Sequence, residues 1–180
     1  MKKLVVLIFS FLVLFFSGCA SGLGFSPNGY TMAISPSMLT SSIQKQFPQK
    51  KKFDYGSVEL RDPDLGFVKG SDELNVGIAF GLSNPLIPTQ NGSVKLSGGI
   101  DFDPKSGQFF LKDPKINELK FNNSSLTSLL PSDVKSILKV VVSEILKQTP
   151  IYKLDKNSFT GMLVKDVKID NGKLLVTFGL

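Results

Sequence analysis

Residue types that carry most enzyme chemistry are scarce in this chain. Its 180 residues include no histidine, no tryptophan and a single cysteine. Without histidine, the Ser–His and Cys–His pairs that activate a nucleophile cannot form. Metal sites built from His and Cys are excluded for the same reason, and so is a disulfide within the chain. The composition therefore predicts a protein that is not an enzyme and that uses no metal or other cofactor.

Two pairs of carboxylates are the remaining candidates for chemistry. Asp101 and Asp103 would share one face of a strand, as would Asp62 and Asp64 if that region is extended. Two neighbouring carboxylates can bind Ca²⁺ or act as an acid and a base. In each pair, however, one Asp is followed by Pro, a dipeptide that is typical of turns. We therefore interpret both pairs as turn-forming residues.

The single cysteine, Cys19, stands at the end of a secretion signal. Two lysines come first, and an apolar run over residues 4–16 follows, which is too short for a comfortable transmembrane helix. The run ends Phe-Ser-Gly-Cys, which resembles the lipobox of bacterial lipoproteins. That resemblance implies removal of residues 1–18 and attachment of palmitate-type acyl chains to Cys19. An ordinary signal peptide with an incidental cysteine is the alternative.

Lipid attachment would hold the mature chain on a membrane. Each buried CH₂ of an acyl chain contributes about 0.8 kcal/mol, so two or three chains make release negligible. Ala20 follows the cysteine where Asp would retain a lipoprotein in the inner membrane, and this favours the outer membrane with the domain facing the periplasm. Residues 19–29 are rich in Gly, Ser, Pro and Asn and are expected to form a flexible lipidated tether. The folded domain is expected to span residues 30–180.

The charge gives little indication of a charged partner. The formal net charge is +6, two lysines of the signal contribute to it, and Arg61 is the only arginine. Bidentate recognition of phosphates and bases favours arginine over lysine. We therefore expect no nucleic-acid partner, and the sequence indicates no particular protein partner.

One long amphipathic helix is predicted over residues 131–148. Pro131 suits the first helical position, and Pro150 prevents continuation. A shorter helix is predicted after Ser35-Pro36, where a capping residue precedes proline. The apolar face of the long helix is formed by residues at helical spacing, namely Val134, Ile137, Leu138, Val141 and Ile145.

Most of the remaining chain has the period of two that is typical of strands. The clearest strand covers residues 74–82, where large apolar residues alternate with small or polar ones. Asn171-Gly172 between two alternating segments predicts a C-terminal hairpin. A broad apolar helix face needs a sheet to cover it. We therefore predict an α+β fold with a single domain, in which a strongly curved antiparallel sheet wraps around the long helix.

Three segments, taken in order, resemble the YceB-like family of bacterial lipoproteins. They are a hairpin at residues 102–113, the helix and its exit at residues 130–154, and a hairpin at residues 167–174. The family is similar in fold to the tubular lipid-binding (TULIP) superfamily. The resemblance implies a curved sheet around a long helix, an apolar slot that can hold lipid, and no catalytic residues.

These observations predict a membrane-anchored lipoprotein that binds a lipid or a fatty acyl chain between helix and sheet. Burial of apolar ligand surface would contribute roughly 25 cal/mol per Å². The alternative is an envelope interaction module whose core is fully packed and which binds no ligand. The predicted ligand-lining residues are Ile78, Phe80 and Leu96 of the sheet and Ile137, Val141 and Ile145 of the helix.

Overall fold

A computed structural model describes residues 23–26, 29–53, 56–68, 70–85, 87–122, 132–155 and 163–179. Within these ranges the chain is mostly β, with two antiparallel sheets and two helices. In chain order the elements are β1 (Leu23–Ser26), β2 (Gly29–Ile34), α1 (Pro36–Gln44), β3 (Gln49–Phe53), β4 (Gly56–Phe67), β5 (Leu74–Asn84), β6 (Ile87–Asp103), β7 (Gln108–Phe121), α2 (Ser132–Gln148), β8 (Tyr152–Lys153), β9 (Leu163–Asp170) and β10 (Lys173–Gly179).

The predicted α+β fold, with one curved sheet wrapped around the long helix, is wrong. The described strands form a four-stranded sheet in the order β1-β2-β10-β9 and a six-stranded sheet in the order β3-β4-β5-β6-β7-β8. Helix α2 packs mainly on β7, with a smaller contact to β4, and no sheet encloses it. The prediction failed because alternation identifies a strand but does not specify its partner. Strand β2 pairs with β10, from the other end of the chain, and so builds a second sheet.

The six-stranded sheet buries one face. On β5 the alternate residues Leu74, Ile78 and Phe80 are at most 3% exposed. The opposite face of β6 and β7 is charged, and Glu118 makes ion pairs with both Lys95 and Lys120 there. The large-and-small alternation of residues 74–82 therefore marks a core face and an outer face.

The C-terminal hairpin forms where Asn-Gly predicts it. Asn171 and Gly172 have φ angles of 49° and 69°. Positive φ at both central residues is what a type I′ turn requires, and its twist matches that of the flanking strands. The hairpin gives β10 a buried row, in which Leu174, Val176 and Phe178 are at most 2% exposed.

Helix α1 begins as the Ser-Pro pair indicates. The Ser35 hydroxyl accepts a hydrogen bond from the Met38 backbone N–H at 3.3 Å, and Pro36 occupies the first turn. The Thr40 hydroxyl accepts a hydrogen bond from the Leu65 backbone N–H at 2.9 Å and so ties the helix to β4. Leu39 and Ile43 are fully buried beneath it.

Helix α2 forms over nearly all of its predicted range, although Pro131 lies outside the described residues. Leu138, Val142 and Leu146 are at most 1% exposed, whereas Val140 is 65% exposed. The second half of the helix is also held by polar contacts. Lys51 of β3 lies 2.6 Å from the Glu144 carboxylate.

The N-terminal region differs from the expected tether in one respect. Residues 23–26 form β1, which pairs with β2 and brings Leu23 opposite Met32. Cys19 and the predicted signal at residues 1–18 lie outside the described residues. Among the residues that are described, no helix is long and apolar enough to cross a membrane.

Gly92 is expected to be essential for the packing of the six-stranded sheet. A Cβ atom at residue 92 would lie 2.5 Å from the Phe80 ring and would also meet the Lys120 carbonyl oxygen of the backbone. We expect Gly92→Ala to lower the free energy of unfolding by about 1–3 kcal/mol, because the core must shift to admit it. Urea denaturation measures the change. Gly66→Ala is the matched control, since no atom lies within 4 Å of its added Cβ, and an equal loss in both variants would contradict the packing argument.

Candidate functional site

A row of half-buried apolar residues lies on the core face of β7. Ile116 pairs with Leu96 and Leu119 pairs with Val94, and both partners on β6 are at most 1% exposed. Because paired residues of antiparallel strands point to the same face, Ile116 and Leu119 also face the core. Unlike their partners, both are only partly buried. We call Ile116, Leu119 and Phe121 the β7 row.

An irregularity in the pairing puts these side chains on one face. Lys95 pairs with Glu118 and the next residue, Leu96, pairs with Ile116, so Asn117 is an extra residue on β7. A β-bulge of this kind shifts the alternation by one position. Ile116 and Leu119 therefore face the same side although they are three residues apart.

The C-terminal residue of the β7 row, Phe121, is fixed by an aromatic contact. Its ring centroid lies 5.2 Å from that of Phe80, and the rings are nearly perpendicular at 82°. Gly92 pairs with both phenylalanines, and its missing side chain leaves room for the Phe80 ring. This edge-to-face arrangement is favourable for aromatic pairs and contributes about 0.5–1.5 kcal/mol beyond area burial.

Helix α2 also carries a half-buried apolar side chain. The helix packs against β7, and Ile137 on its first half is only partly buried. Its neighbour Leu138 is 1% exposed, and Val140 on the far side is 65% exposed. Two elements in contact thus both carry half-buried apolar side chains. The β7 row together with Ile137 is the candidate site for an apolar ligand.

The six predicted ligand-lining residues all join one hydrophobic core, but to different degrees. Ile137 is the one that is half-buried. The other five are at most 8% exposed, namely Ile78, Phe80, Leu96, Val141 and Ile145. Whether any of the six contacts a ligand stays a prediction, as does acylation of Cys19.

The β7 row was not predicted from the sequence, because the β-bulge interrupts the alternation of apolar and polar residues along β7. A strict alternation through residues 114–121 does not place Ile116 and Leu119 on the same face. The Asp113-Pro114 dipeptide indicates an irregularity in this hairpin, since proline in a strand is confined to edges and bulges, but that irregularity is not the bulge at Asn117. Asp113 indeed has a φ of 45°, next to the second register shift of this hairpin.

A second feature is a surface depression of about 680 Å³ between two turns. The turn that follows β4 contributes Phe67, Val68 and residues 70–72, and the β9–β10 hairpin contributes residues 169–172. Phe67 and Ile169 give it an apolar part. The polar part includes the side chains of Asp72 and Asp170, both of which are exposed.

Of the four aspartates in the two predicted carboxylate pairs, Asp103 has a clear structural role. Asp103 closes the β6–β7 turn, where its carboxylate accepts backbone hydrogen bonds from Lys105 at 2.9 Å and from Ser106 at 3.2 Å. Hydrogen bonds lower the pKa of the Asp103 carboxyl. The largest effect comes from the Ser106 hydroxyl and the next largest from the Lys105 backbone N–H. No cluster of three or more His, Cys, Asp or Glu side chains suited to a metal ion occurs among the described residues.

Comparison with known proteins identifies a family. Residues 34–173 match the family DUF1439, described as "Protein of unknown function (DUF1439)". Because the match covers most of the chain, the protein belongs to this family. No curated protein matches the sequence.

The turn role of Asp103 leads to a prediction about its titration. We expect NMR to give the Asp103 carboxyl a pKa below 3.8, and Ser106→Ala to raise that pKa towards 3.8. Since the folded-state pKa is lowered, the stabilising contribution is present above pH 3.8 and is lost as the pH falls through the folded-state pKa. Lys105→Ala is the comparison, because it keeps the backbone N–H and removes only the smaller effect of the Lys105 charge, so it should raise the pKa less than Ser106→Ala does. A pKa at or above 3.8 in the unmodified protein would contradict the turn geometry.

Proposed function

We propose that the protein is a lipid-anchored envelope protein that binds a fatty acid or the acyl chain of a lipid at the β7 row and Ile137. The observation that carries the proposal is the partial burial of Ile116, Leu119 and Phe121 on the core face of β7, where the β6 partners of the first two are at most 1% exposed. An acyl chain laid along these side chains would remove their remaining apolar surface from water. The same contact would bury the methylene groups of the ligand.

The expected affinity follows from the number of methylene groups covered. Each contributes about 0.8 kcal/mol, so about ten give roughly 8 kcal/mol. That free energy corresponds to a dissociation constant of roughly 1 μM before the cost of ordering the chain is subtracted. Shorter acyl chains are therefore expected to bind measurably more weakly.

The resemblance to YceB-like lipoproteins supports the same proposal, because that family resembles lipid-binding TULIP proteins. The site proposed here is not an enclosed tube, because the described strands form two separate sheets and neither of them surrounds α2. Within this proposal the protein binds without catalysis. The charged groups near the β7 row are paired, since Glu118 bridges Lys95 and Lys120 on the opposite face of the sheet.

The location proposed for this activity is the outer membrane, with the domain facing the periplasm. It is supported by the apolar signal, by the lipobox-like Phe-Ser-Gly-Cys and by Ala20 after the cysteine. Acyl chains on Cys19 would hold the protein there.

One observation favours the alternative, an interaction module that binds no ligand. Five of the six residues expected to line a slot are at most 8% exposed and pack together in the core. Such packing leaves those five no surface for a ligand. The two functions predict different behaviour of the purified domain. A lipid-binding protein carries lipid and takes up added fatty acid, and an interaction module does neither.

The test uses the non-acylated chain, Ala20 to Leu180, so that its own anchor contributes no lipid. We expect organic extracts of the purified protein to contain stoichiometric lipid by mass spectrometry, and a fluorescent fatty acid to bind. Leu119→Gln and Ile137→Gln should each weaken binding about 5- to 30-fold, because each removes about 1–2 kcal/mol of apolar contact.

Val140→Gln is the matched control for the helix variant. It lies on the same helix but is 65% exposed, so its affinity for the fatty acid should match that of the unmodified chain. Lipid-free extracts from several preparations, together with no uptake of the probe, would reject ligand binding and favour the interaction module. Equal weakening by Val140→Gln would reject the location of the site.

A further inference from the structure

The attachment site and the first strand are separated by a short length of chain. Cys19 is four residues before Leu23, where β1 begins. A chain extends at most about 3.6 Å per residue, so the two Cα atoms lie within about 14 Å of each other. If Cys19 is acylated, as proposed above, the start of β1 must lie close to the bilayer surface.

The pairing of the four-stranded sheet shows which end of the molecule this is. Leu23 lies opposite Met32, near the end of β2. Ile34, the last residue of β2, pairs with Leu174 of β10, and Leu174 pairs in turn with Ile169 of β9. The β9–β10 turn at residues 171–172 follows directly. The start of β1 and this turn are therefore at the same end of the sheet.

Two further features lie at that end. The depression described above is formed jointly by the β9–β10 hairpin and by residues 67, 68 and 70–72 of the β4–β5 turn, so the six-stranded sheet also contributes to it. Helix α1 starts two residues after β2, and its Met38 side chain is 43% exposed. We call residues 67, 68, 70–72 and 169–172 the anchor end.

We propose that the anchor end rests on the bilayer that holds the acyl chains of Cys19, with its depression open to the lipid head groups. The length of chain between Cys19 and β1 supports this, because it does not allow the domain to stand far from the membrane. The depression combines the apolar Phe67 and Ile169 with exposed carboxylates at Asp72 and Asp170. Those carboxylates suit the ammonium group of phosphatidylethanolamine, and the exposed Lys168 and Lys173 beside the turn suit its phosphate.

The opposite end of the molecule provides an internal reference. Strand β5 has 11 residues and starts next to the anchor end, so it extends about 33 Å. Ser71 precedes β5, and Ser83 lies near its far end and is exposed. A probe at Ser83 should therefore remain far from the head groups while a probe at Ser71 is close to them.

The experiment uses the full acylated chain in vesicles of phosphatidylethanolamine and phosphatidylcholine. Acylation blocks the Cys19 thiol, so Ser71→Cys and Ser83→Cys each provide one thiol for a fluorophore. We expect a head-group nitroxide lipid to quench the probe at residue 71 at least twofold more than the probe at residue 83. Equal quenching, or stronger quenching at residue 83, overturns the orientation.

A variant with a longer tether distinguishes binding of the anchor end to the bilayer from a proximity that the short tether alone imposes. Twelve Gly and Ser residues inserted between Cys19 and Leu23 should leave most of the quenching at residue 71 if the anchor end binds the surface, and loss of the quenching overturns the contact. Intact mass is measured on the same samples. An unmodified Cys19 would overturn the lipid attachment and the orientation with it, whereas equal quenching in acylated protein overturns the orientation alone.

Discussion

The packing of helix α2 onto β7 is the contact on which the rest of the structure depends. Leu138, Val142 and Leu146 are nearly inaccessible, and each such side chain contributes about 1.5–3 kcal/mol through burial. The ion pair between Lys51 and Glu144 is 40–44% exposed, and a pair of this kind contributes at most about 1 kcal/mol. Apolar burial therefore determines where the helix lies, and the ion pair only helps to fix its second half.

The parts of the fold that were predictable are those encoded locally. The alternation of residues 74–82, the capping residue Ser35 and the Asn171-Gly172 turn each specify their own conformation, and the structure has a strand, a helix start and a hairpin there. The pairing of β2 with β10 is not local. It joins residues more than 140 positions apart, as in the hydrogen bond between Thr31 and Thr177, and no periodicity along the chain marks such a partner.

The candidate site was harder to predict for a related reason. The residues with the strongest periodicity, such as Phe80 and Leu96, are fully buried, because strict alternation is the pattern of a core face. A surface that accepts an apolar ligand must stay partly exposed. Here that condition is met where the period fails, at the extra residue Asn117 between Ile116 and Leu119. Ile100 and Phe102 of β6 are also half-buried although they keep the alternation, so the interruption at Asn117 is one of the ways in which apolar side chains of this sheet stay partly exposed.

The positions of the two proposed surfaces constrain how they would work together. The β7 row starts near the anchor end, since Ile116 lies in the same residue row as Leu96 and Val76, two residues along β5 from Leu74. Its other end, Phe121, contacts Phe80, which lies six residues and hence about 20 Å along β5 from Leu74. An acyl chain that entered from a bilayer at the anchor end would therefore meet Ile116 first and Phe121 last. If the proposed binding holds, covering the whole β7 row would cost about 0.8 kcal/mol for each methylene that leaves the bilayer. Because the proposed site would replace that contact with similar apolar burial, the exchange between bilayer and protein would be nearly balanced.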